Sequence, residues 1–284
     1  MHRQKSFEKD NAKLYLVATP IGNLEDITFR AINTLKKVEY IYCEDTRDSM
    51  KLLNHYDIHT KLKSVHLFNE YDVASEIIDH IKNNESVAII SDAGLPIISD
   101  PGSIVATLAI KENIDIVVIP GASAGITALI ASGIQAHPYY FIGFLNAKSG
   151  KRRQELKELS NRTETIVFYE SPHRIADTID MLCELYPNRQ VVIARELTKI
   201  HEEYLRGTPL ELKEVVDTIK GEMVIILEGN KNPTSNASLE LNSKTTLEHY
   251  KYYIDQGLTD KEAMKQVAID RGVSKNEIYQ QIKR

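Results

Sequence analysis

Cysteine is scarce in this chain of 284 residues. Cys43 and Cys183 lie far apart and form neither a metal-ligand nor a redox spacing. They read as two buried thiols in a reducing compartment. Long apolar runs are missing as well. Residues 1–12 are polar and mixed in charge, with no apolar signal core, and no later run is long enough to span a bilayer. The expectation is a soluble cytoplasmic protein with a loose tail over 1–12. An excess of basic charge is also lacking: 40 acidic against 35 basic residues give a formal charge of −5. That does not point to a general polyanion binder and leaves room for a local basic patch. Several catalytic signatures are absent. Gly121-Ala122-Ser123-Ala124-Gly125 lacks the dinucleotide glycine spacing, and Arg152 follows Gly150-Lys151 where a phosphate loop needs Ser or Thr. There is no zinc spacing and no nucleophile elbow.

What is present is a hydrophobic content of 42%, enough for a sizeable core. The stretch that organises it is Ser91-Asp92-Ala93-Gly94-Leu95-Pro96-Ile97-Ile98-Ser99-Asp100-Pro101-Gly102. It follows Val87-Ala88-Ile89-Ile90, an apolar β-branched run that reads as a buried strand. It precedes a helical pattern over 104–110, with Asp100 placed to cap it and Pro101 suited to its first turn. A long Gly- and Pro-containing loop at the carboxyl end of a central strand is where open α/β sheets bind ligands.

Further strands are predicted at 14–18, 40–43, 63–67 and 116–119, with helices over 27–35, 73–81 and 122–131 between them. After a break near 133–138 the alternation resumes. Residues 140–144 are apolar, strands are expected at 165–169, 191–194 and 223–227, and helices over 152–159 and from Ser171 to about Leu185. The alternation predicts a largely parallel sheet covered on both faces. The expected architecture is α/β: an N-terminal domain over 13–133, a second over 134–229, and a cleft between them. Residues 230–245, rich in Asn, Ser, Thr and Lys, read as a linker. Beyond it, Thr259-Asp260-Lys261-Glu262 and Ser274-Lys275-Asn276-Glu277 are capping-box patterns around the turn Gly272-Val273. They predict a small helix-turn-helix-like module over 246–284.

The strand-end loops mix small residues with charges. Thr19-Pro20-Ile21-Gly22-Asn23-Leu24, Cys43-Glu44-Asp45-Thr46-Arg47, the two halves of the 91–102 loop, and Glu170-Ser171-Pro172-His173-Arg174 together resemble the tetrapyrrole-methylase-like class of S-adenosylmethionine-dependent methyltransferases. The resemblance runs from about Leu14 to Gly229, with a further match in the C-terminal module. Within the class, it is to the branch that methylates a cytidine ribose 2′-oxygen in small-subunit ribosomal RNA. Leu95 departs from the pattern where Thr is expected, and Asn146 where Pro is expected; neither removes a charged group.

The resemblance implies a cleft between the two α/β halves that holds S-adenosylmethionine, no metal, and a homodimer. By position, Ile21, Asp92, Leu95, Ser123, Ala124, Tyr169 and Ala194 match the cofactor-contacting places, and Ala93 and Gly94 lie among them. A carboxylate such as Asp92 can hold a ribose or a cationic amine, and small residues let backbone groups meet adenine. A ribose hydroxyl is a poor nucleophile while protonated, so in-line positioning and proton removal are needed. Glu44, Asp45 and Lys199 are candidates for base or orienter. Arg47 and Arg174 are candidates for phosphate contact. From 148 to 162 the chain carries six basic residues against two acidic ones, Lys151, Arg152 and Arg153 among them, and this run is expected to touch RNA backbone. Two alternatives remain open: a methyltransferase of the same fold acting on a tetrapyrrole or other small molecule, and an RNA-binding or assembly factor without catalysis.

Overall fold

The computed structural model describes residues 3–8, 10–66, 69–233, 241–242 and 244–282. The chain divides into two compact units, one of Met1–Lys157 with Glu164–Gly229, the other of Glu158–Thr163 with Asn230–Arg284.

The first unit contains two five-stranded sheets. In chain order the first sheet takes β1 (Leu14–Val17), β2 (Tyr40–Cys43), β3 (Lys61–Ser64), β4 (Val87–Ile90) and β5 (Ile116–Ile119), all parallel, in the spatial order β3-β2-β4-β1-β5. The helices between them are α1 (Phe29–Leu35), α2 (Thr46–His55), α3 (Glu70–Lys82) and α4 (Ser103–Lys111). All four residues of β4 are buried, as a strand covered on both faces requires. Val73, Ala74, Ile77, Ile78 and Ile81 form the buried stripe of α3 at helical spacing. Chain crossovers turn left after β1 and right after β4, so the sheet's switch point lies between these neighbours.

The second sheet holds β6 (Tyr139–Phe144), β7 (Thr165–Glu170), β8 (Val191–Arg195), β9 (Glu203–Gly207) and β10 (Met223–Leu227), in the order β6-β7-β10-β8-β9. Only β6 and β7 pair in parallel; β10 lies antiparallel between β7 and β8. The expectation of a largely parallel sheet therefore holds for the first half alone. Helical crossovers through α6 (Ser149–Glu158) and α7 (Ile175–Leu185) keep β6, β7 and β8 running one way. The antiparallel pairing of β8 with β9 then reverses the chain, and α8 (Pro209–Lys213) returns it as β10. Strand β9, Glu-Tyr-Leu-Arg-Gly, is an edge strand with too little apolar character to announce itself in the sequence. Helix α5 (Ala124–Ser132) lies in the half that a boundary at 133 assigns to the first domain, yet it packs on β7, β8 and β10. Ala128 and Leu129 join Val167, Val192, Ala194, Val224 and Ile226 in one apolar cluster there. The N-terminal tail is pinned rather than loose at Gln4, whose amide donates to Ile116 O (2.7 Å) and accepts from Ile116 N–H (3.2 Å).

The second unit is helical: α9 (Thr246–Asp255), α10 (Asp260–Arg271) and α11 (Lys275–Ile282). Both predicted capping boxes form. Glu262 accepts from the Thr259 N–H at 3.0 Å and Glu277 from the Ser274 N–H at 2.8 Å; Gly272, at φ 64°, ends α10. Met264, Val267, Ala268 and Ile278 make its core with Tyr250 and Tyr253. Within it, buried His249 donates from Nε2 to Asp270 while Nδ1 accepts from Arg271. Burial, against the pull of Asp270, holds this imidazole below its usual pKa. Of the linker read at 230–245, residues 234–240 and 243 lie outside the described residues. Leu241 is buried, and its carbonyl accepts from Arg271.

Candidate active site

Apolar strands β1 and β4 carry their chains to the switch point, where two loops leave side by side. Thr19 N–H donates to Gly94 O (2.8 Å) and Gly94 N–H to Thr19 O (3.2 Å), extending the pairing of β1 with β4 beyond the strands. The buried hydroxyls of Thr19 and Ser91 donate to Ser91 O (3.0 Å) and Gly94 O (2.8 Å). Gly94 sits at φ 81°, and a Cβ there would meet Ile21 Cγ2 at 3.2 Å and Ala122 O at 3.3 Å. A side chain at this position would be strained and would fill the space the loops leave between them.

That space is a cleft of about 340 Å³ between the two sheets. It brings together Ile21, Asp92, Ala93, Gly94, Leu95, Ser123, Ala124 and Tyr169 of the residues singled out in the sequence. Ala194 stands apart from the lining, fully buried in β8 within the apolar cluster beneath it. Tyr169 stacks edge-on against Phe141 and Phe144, with ring centroids 5.2 and 5.4 Å away, and burial raises its phenol pKa. The lining also includes residues that sequence reasoning passed over: Asp100, Phe144, Leu197 and the 222–224 segment from the second sheet.

Asp100 is the most informative of these. It was expected to cap α4, but the cap position belongs to Gly102, at φ 123°, with no side-chain cap of its own. The free N–H groups of the α4 start are met from a distance. Glu70, buried at the start of α3, accepts from Gly102 N–H (2.9 Å) and Ile104 N–H (2.8 Å) through one oxygen. Relieved of capping, Asp100 turns to the cleft. Its half-buried carboxyl is pushed up to about 6 by burial first and then by the nearby carboxylates of Glu44 and Asp92. The Ser-Asp repeat in 91–100 was the available signal.

The remaining candidates lie outside the lining. Asp45 caps α2, accepting from Arg47 N–H (2.8 Å), and pairs with the Arg47 guanidinium at 2.9 Å. Those hydrogen bonds from Arg47 lower its carboxyl to about 2, which makes it a weak base, and they engage Arg47 locally. Asp92 Oδ1 accepts from Asp45 N–H at 3.2 Å, joining the ends of β2 and β4. Glu44 is exposed beside them. Lys199 is a cation rather than a base. Burial pulls its pKa down, but Glu196 (3.2 Å) and Glu222 (3.3 Å) outweigh that and raise it.

Arg174 is likewise engaged. It binds the buried Glu170 at 2.7 and 2.8 Å, and Glu170 also accepts from Thr178 Oγ1 (2.7 Å) and Ser171 N–H (2.8 Å). In the basic run, Lys148 and Lys151 are exposed on or beside α6. Arg153 pairs with Glu184, 3.2 Å at its longer contact. Arg152 is 1% exposed, packed with Leu156 on the inner face of α6, which takes it out of reach of a phosphate.

Comparison with known proteins agrees with this geometry. The sequence profile of the Tetrapyrrole (Corrin/Porphyrin) Methylases matches residues 13–213. A ribosomal RNA small subunit methyltransferase I of Halalkalibacterium halodurans is 49% identical over 286 residues, spanning 98% of both chains. One from Bacillus subtilis is 45% identical, spanning 98% of this chain and 97% of its own. Among solved structures, a diphthine synthase superposes with a TM-score of 0.60 at 11% identity, over 77% of this chain and 90% of that one. Uroporphyrin-III-C-methyltransferase of Thermus thermophilus gives 0.56 at 17%, over 77% and 94%, so both share the fold. The paired sheets, the cleft at their strand ends and the length of these matches place the chain in the tetrapyrrole (corrin/porphyrin) methylase family.

Proposed function

We propose that the chain is an S-adenosylmethionine-dependent methyltransferase that acts on small-subunit ribosomal RNA, at the ribose 2′-oxygen of a cytidine. The observation that carries this reading is identity of 45–49% running the length of relatives named for small-subunit ribosomal RNA. Such matches include the C-terminal helices, whereas the tetrapyrrole enzyme covers 77% of the chain. A small substrate gives no reason for the extra module; a ribosomal particle does.

The cofactor is S-adenosylmethionine, and the cleft suits it on two grounds. Gly94 and Ala93 leave a cradle that a Cβ at position 94 would fill. The acidic groups around it, Asp92 and Asp100 with Glu44 nearby, favour a ligand bearing positive charge. The group's sulfonium makes its methyl electrophilic. Asp92 holds a ribose hydroxyl or the amine, and Ile21, Leu95, Tyr169 and Val224 exclude water with apolar surface. Ser123 and Ala124, small residues at the start of α5, let backbone groups approach the base. Lys148 and Lys151 offer exposed cations to RNA phosphates. A role in the cytoplasm, as a homodimer, belongs to the same proposal.

The test is transfer of labelled methyl to small subunits purified from a strain lacking this modification, followed by nucleoside mass spectrometry. The expected product is 2′-O-methylcytidine. Methylation on a base, or cofactor binding without transfer, would reject the reading. A chain ending at Gly229 is expected to keep cofactor binding and to lose affinity for subunits.

A further inference from the structure

We infer that Phe144 and Ile98 form the seat for the base of the target nucleotide, which stacks on the Phe144 ring while its ribose enters the cleft. The inference rests on the proposed ribose methylation and names two positioning residues for its substrate. Carbon C1′ carries the base and adjoins C2′. A ribose whose 2′-oxygen meets the methyl group therefore keeps its base at the mouth of the cleft. A base taken out of its stack loses contacts that a protein surface must replace.

The lining offers one such surface. Phe144 and Ile98 are 55% and 45% exposed, whereas Ile21, Leu197, Met223 and Val224 are buried and Leu95 and Tyr169 half-buried. The backbone builds this exposure in on both segments. Ile97 and Ser99 stand at φ 76° and 71°, in the left-handed region that a β-branched residue rarely occupies. Ile97 packs onto the core cluster of the first sheet, and Ile98 is left outside. On β6 the register slips between Phe141 and Gly143, and Gly143 stands at φ 79°. Such an irregularity re-aims the side chains that follow it: Leu145 is buried and Phe144 is exposed. The two segments meet, since a Cβ at position 143 would lie 2.8 Å from Ser99 Oγ. Backbone strain of this kind gathers where a ligand is held. Phe144 meets Tyr169 at 61°, and among the described residues no ring stacks face to face on it. Lys148 and Lys151, exposed four and seven residues beyond Phe144, supply cations for the phosphates that flank the base. An aromatic face with cations beside it is the arrangement that holds an unstacked nucleotide.

The experiment compares wild type with Phe144→Ala, Phe144→Tyr and Ile98→Ala. Single-turnover methylation at saturating S-adenosylmethionine is followed over a range of small-subunit concentrations, which gives a second-order rate constant for the subunit. Calorimetric titration of S-adenosylmethionine, thermal unfolding and sedimentation accompany it. Phe144→Ala should lower the second-order constant at least about fivefold, the smallest loss expected when a stacked base loses its ring. Phe144→Tyr, which keeps an aromatic face, should recover most of that loss. Ile98→Ala should lower the constant in the same direction by about threefold. The slope of its logarithm against log salt should match wild type in all three, because stacking releases no phosphate counterions. S-adenosylmethionine affinity and unfolding temperature should stay close to wild type, since the ring is more than half exposed.

A smaller loss in Phe144→Ala, or a loss that Phe144→Tyr does not recover, overturns the assignment. So does a fall in S-adenosylmethionine affinity that matches the fall in rate, which would make Phe144 part of the cofactor wall. A change in sedimentation would make this rim a contact between copies of the chain, and overturns it as well. If Phe144→Ala unfolds, Ile98→Ala carries the test from the other segment, and its full activity overturns the assignment. Wild type that methylates no ribose would fail the underlying reading instead, and the nucleoside analysis separates the two.

Discussion

At the carboxyl ends of the first sheet, Asp92 and Asp100 face the cleft and form no ion pair among the described residues. Across the cleft, the acidic residues that the second sheet brings to the lining are each held by a cation: Glu170 by Arg174 and Glu222 by Lys199. The backbones differ in the same sense. The first sheet is parallel and gathers its loops at a switch point, while the second is mixed, with β10 inserted antiparallel between β7 and β8 and β9 at its edge. The contrast separates two tasks. The unpaired carboxylates serve a cationic ligand. Paired ones fix the opposite wall against which the ligand is held.

The largest effect should come from breaking the second wall. Arg174→Ala leaves Glu170 charged and buried without its partner, which costs roughly 3–5 kcal/mol. Thermal denaturation should show a loss on the order of 10 °C. The folded fraction should bind S-adenosylmethionine as wild type does. If binding falls in proportion instead, the second sheet contributes more than a frame.

A smaller loss of stability and a larger loss of function is expected in the first half. Glu70→Ala strands two N–H groups at the start of α4, about 2–3 kcal/mol. Because the 95–102 loop lines the cleft, the methylation rate should fall by more than the stability loss explains. Glu70→Gln keeps an acceptor oxygen and should restore most of the rate. Equal activity of the alanine variant would show that the loop holds its shape without this cap.

The smallest effect concerns RNA. Reversing Lys148 and Lys151 to Glu should lower affinity for small subunits about tenfold and reduce the slope of log affinity against log salt by about 2, leaving cofactor binding alone. Binding measured at several salt concentrations checks it. An unchanged slope would make the outer face of α6 merely solvated. Arg152 must be left out of that design, since its reversal would place a carboxylate in the core.

These distinctions mark what could be read from residues alone. Val87-Ala88-Ile89-Ile90 and the Gly- and Asp-rich loop after it were legible, because burial on both faces and glycine at positive φ leave local marks. Capping boxes at Thr259 and Ser274 were legible for the same reason. The cap of α4 was not. Asp100 stood at a suitable position, but Glu70, 32 residues away from Gly102, took the bonds. Arg152 looked like a solvated cation because a basic residue seldom marks a buried helix face. The pairing of Arg174 with Glu170, and of Lys199 with Glu222, depends on which strands become neighbours, and the insertion of β10 between β7 and β8 has no local signal. For the same reason Ala194 looked like part of the cleft wall when it lies beneath it.

The account stands most directly on the claim that the loops of the first sheet hold a cationic cofactor through unpaired carboxylates. Asp92→Asn tests it, because an amide oxygen can still accept from the Asp45 N–H while the charge is gone. Calorimetric titration of S-adenosylmethionine into both proteins should show 10- to 100-fold weaker binding to the variant, about 1.5–3 kcal/mol for a hydrogen bond to a charged group, with unfolding temperature nearly unchanged. Equal affinity in the two folded proteins would contradict the claim.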